Sequence, residues 1–164
     1  MHGTIRRPLQ IALAALSAGL VLSAGSAPAA PPTSESVVKA TAVAGQTGPD
    51  GKQVVTLTLA VDKGWHLYAN PVGWDGAGNP TVVTVKAKGE LADVKVDYPR
   101  GKEATTDDNG KKVHYYIYED KATIPITVTR AKGDDSPLEL TVAIQACNEN
   151  SCLVPKKLKV TAVP

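Results

Sequence analysis

Between residues 53 and 62 apolar side chains fall on every second position, with Val55, Leu57, Leu59 and Val61 on one face and polar residues on the other. A period of two is the pattern of a half-buried β-strand. It returns in short runs separated by turn residues over the rest of the chain, at 37–43, 65–71, 81–87, 91–97, 112–118, 122–129, 138–145 and 157–163. No stretch carries a convincing amphipathic helical period. Many short strands with turn signals at this spacing predict an all-β fold, an immunoglobulin-like β-sandwich. Composition agrees: Phe is absent while Val and Thr abound, which favours strands around a Val/Ile/Leu core.

Two connections stand out. A Gly-rich loop at 73–80 follows a short aromatic strand, in which alternation puts Trp65 and Leu67 on one face and His66 and Tyr68 on the other. A long polar stretch at 98–111 reads as a loop, and long loops on compact domains are often functional. In the run 122–129, Pro125 cannot donate to a ladder, so that strand is expected at an edge or with a bulge.

The first 29 residues have a basic start with Arg6 and Arg7, an apolar core and a small-residue end, Ala27-Pro28-Ala29. This is the pattern of a secretory signal peptide. Residues 30–36 then read as a flexible leader and 37–164 as one domain, exported into an oxidising compartment. The net charge of +2 builds no field for nucleic acid or anionic lipid, which argues against both as partners.

The two cysteines, Cys147 and Cys152, flank four polar residues at a predicted strand connection. Such spacing allows a disulfide, which needs Cα atoms roughly 4.4–6.8 Å apart. As a staple the bond is weak: a loop this short yields only about 2 kcal/mol, in a place a turn already holds together. Small exported domains built on bridges carry four or more cysteines. One tight pair suits opening and closing better, so redox exchange leads. A secreted binding module with a purely structural disulfide is the alternative, and the discriminator is reduction potential. Metal capture by Cys147, Cys152, His66 and His114 is a third reading, for which no tight metal-motif spacing exists. No cofactor is called for, and neither Gly-x-Ser-x-Gly nor His-Glu-x-x-His is present to suggest a hydrolase. Lys156, Lys157 and Lys159 after the pair read first as charges on a solvated strand face that guard against edge pairing; as neighbours of the sulfurs they would favour a thiolate, which Glu149 within the loop would oppose.

Gly64-Trp65-His66-Leu67-Tyr68-Ala69-Asn70-Pro71, the Tyr118-Glu119-Asp120-Lys121-x-x-Ile124-Pro125-Ile126 stretch, and a cysteine pair followed by Pro155 occur in that order. Together they resemble the N-terminal periplasmic domain family of the thiol:disulfide interchange protein DsbD. The resemblance implies an immunoglobulin-like domain that takes electrons from a membrane-embedded partner and passes them to periplasmic thioredoxin-fold proteins. By position it makes Cys147 and Cys152 the redox pair, with Cys152 forming the intermolecular bond, and Tyr68 a residue lining that site; His66, on the same strand face, reads first as a solvated residue of an amphipathic strand and second as a further lining residue. It also implies an acidic cap loop, matched here to Asp107, Asp108, Asn109 and Gly110. The family's shielding phenylalanine has no counterpart, leaving Tyr115 or Tyr116 as the substitute ring. The family's membrane segment and thioredoxin-like domain do not follow in these 164 residues, so the electron donor is expected to be a separate polypeptide.

Overall fold

The structure, a computed structural model, describes residues 31–162; the signal-peptide reading of residues 1–29 lies outside them. Eleven strands follow a short 3-10 turn at Ser34–Ser36. They are β1 Val38–Ala44, β2 Lys52–Val61, β3 His66–Tyr68, β4 Val82–Lys86, β5 Leu91–Val96, β6 Lys102–Asp108, β7 Lys111–Tyr118, β8 Lys121–Arg130, β9 Leu138–Ile144, β10 Ala146–Cys147 and β11 Lys156–Ala162. They form three antiparallel sheets, ordered β1-β2-β8-β5, β10-β3-β7-β6 and β11-β9-β4. Only Gln145 separates β9 from β10, so one chain segment passes directly from the third sheet into the second.

The sheets pack as a sandwich whose core the period-two pattern defines. Val55, Leu57, Leu59 and Val61 of β2 turn inward beside Ala122, Ile124, Ile126 and Val128 of β8. Leu138, Leu140, Val142 and Ile144 of β9 join them with Val83 and Val85 of β4. Each such side chain removed from water contributes about 1.5–3 kcal/mol before entropy is set against it. The second sheet adds Leu67, Ala69, Ile117 and Tyr118, and the Tyr118 hydroxyl donates to the Pro99 carbonyl at 2.8 Å.

Two expectations change. Strand β8 is not an edge: it lies between β2 and β5, and its ladder with β2 runs unbroken from Lys52↔Thr129 to Ala60↔Lys121. Proline is tolerated because its carbonyl accepts from Asp97 N–H at 2.9 Å. The missing N–H of Pro125 points to the same side, so only the reciprocal bond of this one rung, where β5 has just ended at Val96, is lost. The bulge falls in β5 instead, between Leu91 and Asp93.

The polar stretch at 98–111 is also not a loop. Its residues Lys102–Asp108 make β6, paired with β7 from Lys102↔Ile117 to Asp108↔Lys111. A strand with neither face in the core shows no hydrophobic alternation, so its sequence resembles loop. Asn109 and Gly110, at φ 53° and 82°, close this hairpin. Both sit in the left-handed region that an Asn-Gly hairpin turn requires.

At the far end of β8, Arg130 is buried and charge-balanced by Asp134 at 3.0 Å. Its guanidinium also donates to Gln53 Oε1 at 2.8 Å and to the Ser136 carbonyl at 2.7 Å. Buried charges need this degree of pairing.

Candidate redox site

Cys147 and Cys152 are opposed across a tight hairpin that the local sequence builds. The Asn148 side-chain oxygen accepts from the backbone N–H of Asn150 at 2.9 Å and of Ser151 at 2.8 Å. This is the local bonding that makes Asn a turn former. Asn148 N–H donates to the Ser151 carbonyl at 2.9 Å, and Leu153 N–H to the Ala146 carbonyl at 2.8 Å. The cysteines lie between those two rungs as a non-hydrogen-bonded pair, the arrangement that brings opposed strands closest. Their Cα atoms are 4.0 Å apart, a little closer than the usual disulfide range, and the sulfurs are bonded at 2.03 Å.

Burial divides the pair. Cys147 is only 1% exposed, held in β10 against β3, whereas Cys152 is exposed. A sulfur must be reached before it can be attacked, so Cys152 is the accessible half of the bond.

Ser34 secures the hairpin from beneath. Its hydroxyl donates to the Val154 carbonyl and accepts from Ala146 N–H, both at 2.9 Å. Thr33 also bridges Val154. The segment read as a leader thus includes a fully buried serine that touches both arms of the cysteine hairpin. Nothing in a lone Ser announces this role.

Across the sheet from Cys147 stands His66, its register partner in β3. The His66 Nε2 atom is buried and has no hydrogen-bond partner. Burial pulls the imidazole below its ordinary pKa, and nearby Glu119 partly offsets this. Continuing the β3–β7 register from Leu67↔Tyr118 puts Glu119 beside His66. Gly64, Trp65, Asp120 and Glu149 complete a depression around these two residues.

From His66 a row of rings leads away from the disulfide. His66 and Tyr68 meet edge-on with centroids 5.5 Å apart, Tyr68 and Tyr115 lie at 6.0 Å, and Tyr115 and Trp74 at 6.3 Å. Burial first, and Tyr115 second, raise the pKa of the Tyr68 hydroxyl. The loop at 73–80 presses on this row: a Cβ placed on Gly78 would fall 2.2 Å from Tyr68 Cε2. Thr81 fixes the loop's return, donating from its N–H and its hydroxyl to the Tyr68 carbonyl at 2.9 and 2.8 Å. Asn79 N–H donates to Gln145 Oε1 at 3.2 Å, tying the same loop to the junction ahead of Cys147.

Of the two tyrosines expected to replace phenylalanine, Tyr115 faces Tyr68. Tyr116 instead stacks under the Arg100 guanidinium, 4.6 Å from its ring centroid. His114 pairs with Glu103 at 2.5 Å on β6, away from the cysteines. Both sulfurs are committed to each other, and among the described residues no group of three or more metal-ligating side chains gathers. Lys156 pairs with Glu35 at 3.2 Å. Asp107, Asp108, Asn109 and Gly110 occupy the tip of the β6–β7 hairpin, where the Asp107 carboxylate accepts from Gly110 N–H at 2.8 Å. From Tyr118 to Lys111 at that tip β7 runs about 23 Å, so register alone does not bring the tip to the sulfurs.

The fold and the site together define a class: an immunoglobulin-like all-β sandwich that carries one disulfide at a hairpin tip, with Cys152 exposed. The family model for the N-terminal domain of the thiol:disulfide interchange protein DsbD matches residues 33–164, and the chain belongs to that family. Among solved structures it is similar to the N-terminal periplasmic domain of ScsB from Proteus mirabilis, at 18% identity and a TM-score of 0.51. That match covers 76% of this chain and 44% of the other, so the chain spans under half the length of that structure. It is also similar to the reduced DsbD N-terminal domain of Neisseria meningitidis, at 17% identity and a TM-score of 0.46, covering 79% of this chain and 86% of that one. A third similar structure is the complex between the DsbD and PilB N-terminal domains of Neisseria meningitidis, at 14% identity and a TM-score of 0.46, covering 76% and 80%. No curated protein matches the chain. Among the described residues no helix is long and apolar enough to cross a membrane.

Proposed function

We propose that the chain is an exported thiol-disulfide exchange domain that relays reducing equivalents through Cys147 and Cys152. In this reading the donor is membrane-bound or a separate protein, and the clients are periplasmic thioredoxin-fold proteins. The observation that carries it is the division of the pair, with Cys147 1% exposed and Cys152 open to solvent. A purely structural staple gains nothing from leaving one sulfur open. Family membership supports the same chemistry.

The exchange is a sequence of thiolate attacks. A donor thiolate attacks Cys152 Sγ, the disulfide breaks, and Cys147 leaves as a thiolate that takes up a proton. The donor's second thiolate then attacks the donor sulfur of the mixed disulfide, freeing the Cys152 thiolate and leaving the donor oxidised. Toward a client the order reverses. Cys152 attacks the client disulfide, Cys147 attacks Cys152 Sγ, and the client departs as a dithiol. Within this reading His66 and Tyr68 line the approach, Tyr115 supplies the ring that the absent phenylalanine leaves open, and the tip Asp107, Asp108, Asn109 and Gly110 is an outer cap.

The deciding experiment is the reduction potential of the purified domain, with electron transfer to an oxidised thioredoxin-fold client assayed beside it. A potential near thioredoxin's, about −270 mV or higher, supports exchange, whereas one below about −300 mV marks a structural bond. Cys147→Ser and Cys152→Ser are each expected to abolish transfer, and undiminished transfer in both would end the proposal.

A further inference from the structure

We propose that His66 is the proton acceptor for the Cys147 thiol in the step that closes the disulfide. This deepens the exchange reading and rests on it. Two independent features of the site lead here.

One is register. His66 and Cys147 are direct partners across β10 and β3, so their side chains share one face of the sheet. Opposed residues hold their Cβ atoms about 4.5–5.5 Å apart, within reach of an imidazole and a thiol. The other is the Nε2 atom, which is buried without a hydrogen-bond partner while the sulfurs are bonded to each other. Buried polar atoms in a native fold are nearly always satisfied, and an orphan calls for a reason. Reduction supplies one, because it creates a Cys147 S–H beside that ring. The orphan of the oxidised state becomes an acceptor in the reduced one.

The surroundings suit a neutral base. Burial disfavours the charged imidazolium, and Glu119 from the end of β7 opposes this only in part. Glu119 is itself paired with Lys102 at 2.6 Å, which tempers its field. Asp120 and Glu149 line the same depression, Tyr68 meets the ring from its own strand, and Cys147 faces it from β10.

The step balances. In the mixed disulfide between Cys152 and a client sulfur, the Cys147 S–H bond breaks and its proton passes to His66. The Cys147 sulfur attacks Cys152 Sγ, the disulfide forms, and the client sulfur leaves as a thiolate. His66 then releases its proton to water through the depression. In the opposite direction the imidazolium returns a proton to Cys147 as it departs. Such a base matters most for a buried thiol, since desolvation disfavours its thiolate.

The test uses the reduced mature domain and the aryl disulfide dithionitrobenzoate, which releases one chromophoric thiolate when Cys152 attacks and a second when Cys147 closes the ring. The internal standard is the first release. In His66→Gln and His66→Phe the ratio of second to first rate is expected to fall about a hundredfold at neutral pH. The wild-type second rate is expected to stay nearly level as pH falls from the thiol range toward 6.5, because the neutral imidazole persists there. The variants should instead lose about tenfold per pH unit, since thiolate alone then reacts. Phenylalanine keeps the ring's bulk and glutamine its polarity, so a fold defect confined to one variant does not decide the matter. A second release unchanged in rate and pH profile in either folded variant overturns the inference, whatever a client assay shows. If His66 governs closure but no protein client is reduced, the inference stands and the exchange reading fails.

Discussion

The Ser34 hydroxyl and the Ala146 N–H are 2.9 Å apart across 112 residues of sequence, and the same hydroxyl reaches the Val154 carbonyl. One side chain thereby joins both arms of the hairpin carrying the disulfide. Ser34→Ala strands the Ala146 donor in a site sealed from water, which costs about 1–3 kcal/mol. The denaturant midpoint of the oxidised domain is expected to fall accordingly, with the slope unchanged. A midpoint within error of wild type would mean that the hydroxyl bonds are not needed.

Unequal burial of the cysteines makes its own prediction. In the reduced domain Cys152 is expected to react with iodoacetamide at least about tenfold faster than Cys147, because only an accessible thiolate can attack. Mass spectrometry of peptides after brief labelling reads the ratio directly. Equal rates would show that reduction opens the hairpin and erases the difference.

The core was plain in the sequence, and so was the hairpin. Val55, Leu57, Leu59 and Val61 alternate because β2 has one wet face and one dry face, and that difference is written into residue type. Cys147 and Cys152 were legible because strand-like runs at 138–145 and 157–163 flank so close a pair. What escaped was whatever depends on partners distant in sequence. Ser34 is an ordinary polar residue until β10 and Val154 arrive around it. Lys102–Asp108 carries no apolar alternation, because β6 borders solvent and gains its order from the ladder with β7. Pro125 misled for a related reason: whether a missing N–H matters depends on where the neighbouring strand ends.

Core truncation should be costly. Leu140 is 1% exposed on the central strand of its sheet, and Leu140→Ala both buries less apolar surface on folding and leaves a cavity. A loss of about 2–5 kcal/mol is expected from chemical denaturation. A change under 1 kcal/mol would mean that the sheets collapse freely onto the gap.

Stability should also respond to acid through Asp134. Hydrogen bonds from Ser136, then the Arg130 guanidinium, hold its carboxyl below the usual range. A depressed folded-state pKa adds stability above the unfolded value, about 3.9, and loses it as pH falls further. The thermal midpoint of wild type is therefore expected to drop more steeply below pH 4 than that of Asp134→Asn. Parallel curves would remove Asp134 from the acid response.

The ring row gives a prediction that separates packing from chemistry. Gly78 touches the Tyr68 ring so closely that an added Cβ would lie 2.2 Å from Cε2 and 2.8 Å from Cδ2. No real contact is that short, so in Gly78→Ala either the ring or the loop must move. Tyr68 is confined by His66 on one side and Tyr115 on the other. The loop is tied down by Thr81 and by Asn79 to Gln145, just ahead of β10. Displacement on either side therefore passes toward the disulfide. Gly78→Ala is expected to shift the tyrosine ring resonances and to raise the rate at which a thiol reductant opens the bond, while the core and its unfolding slope stay as in wild type. Reduction at the wild-type rate, with the ring resonances moved, would show that the aromatic row does not govern access to Cys152.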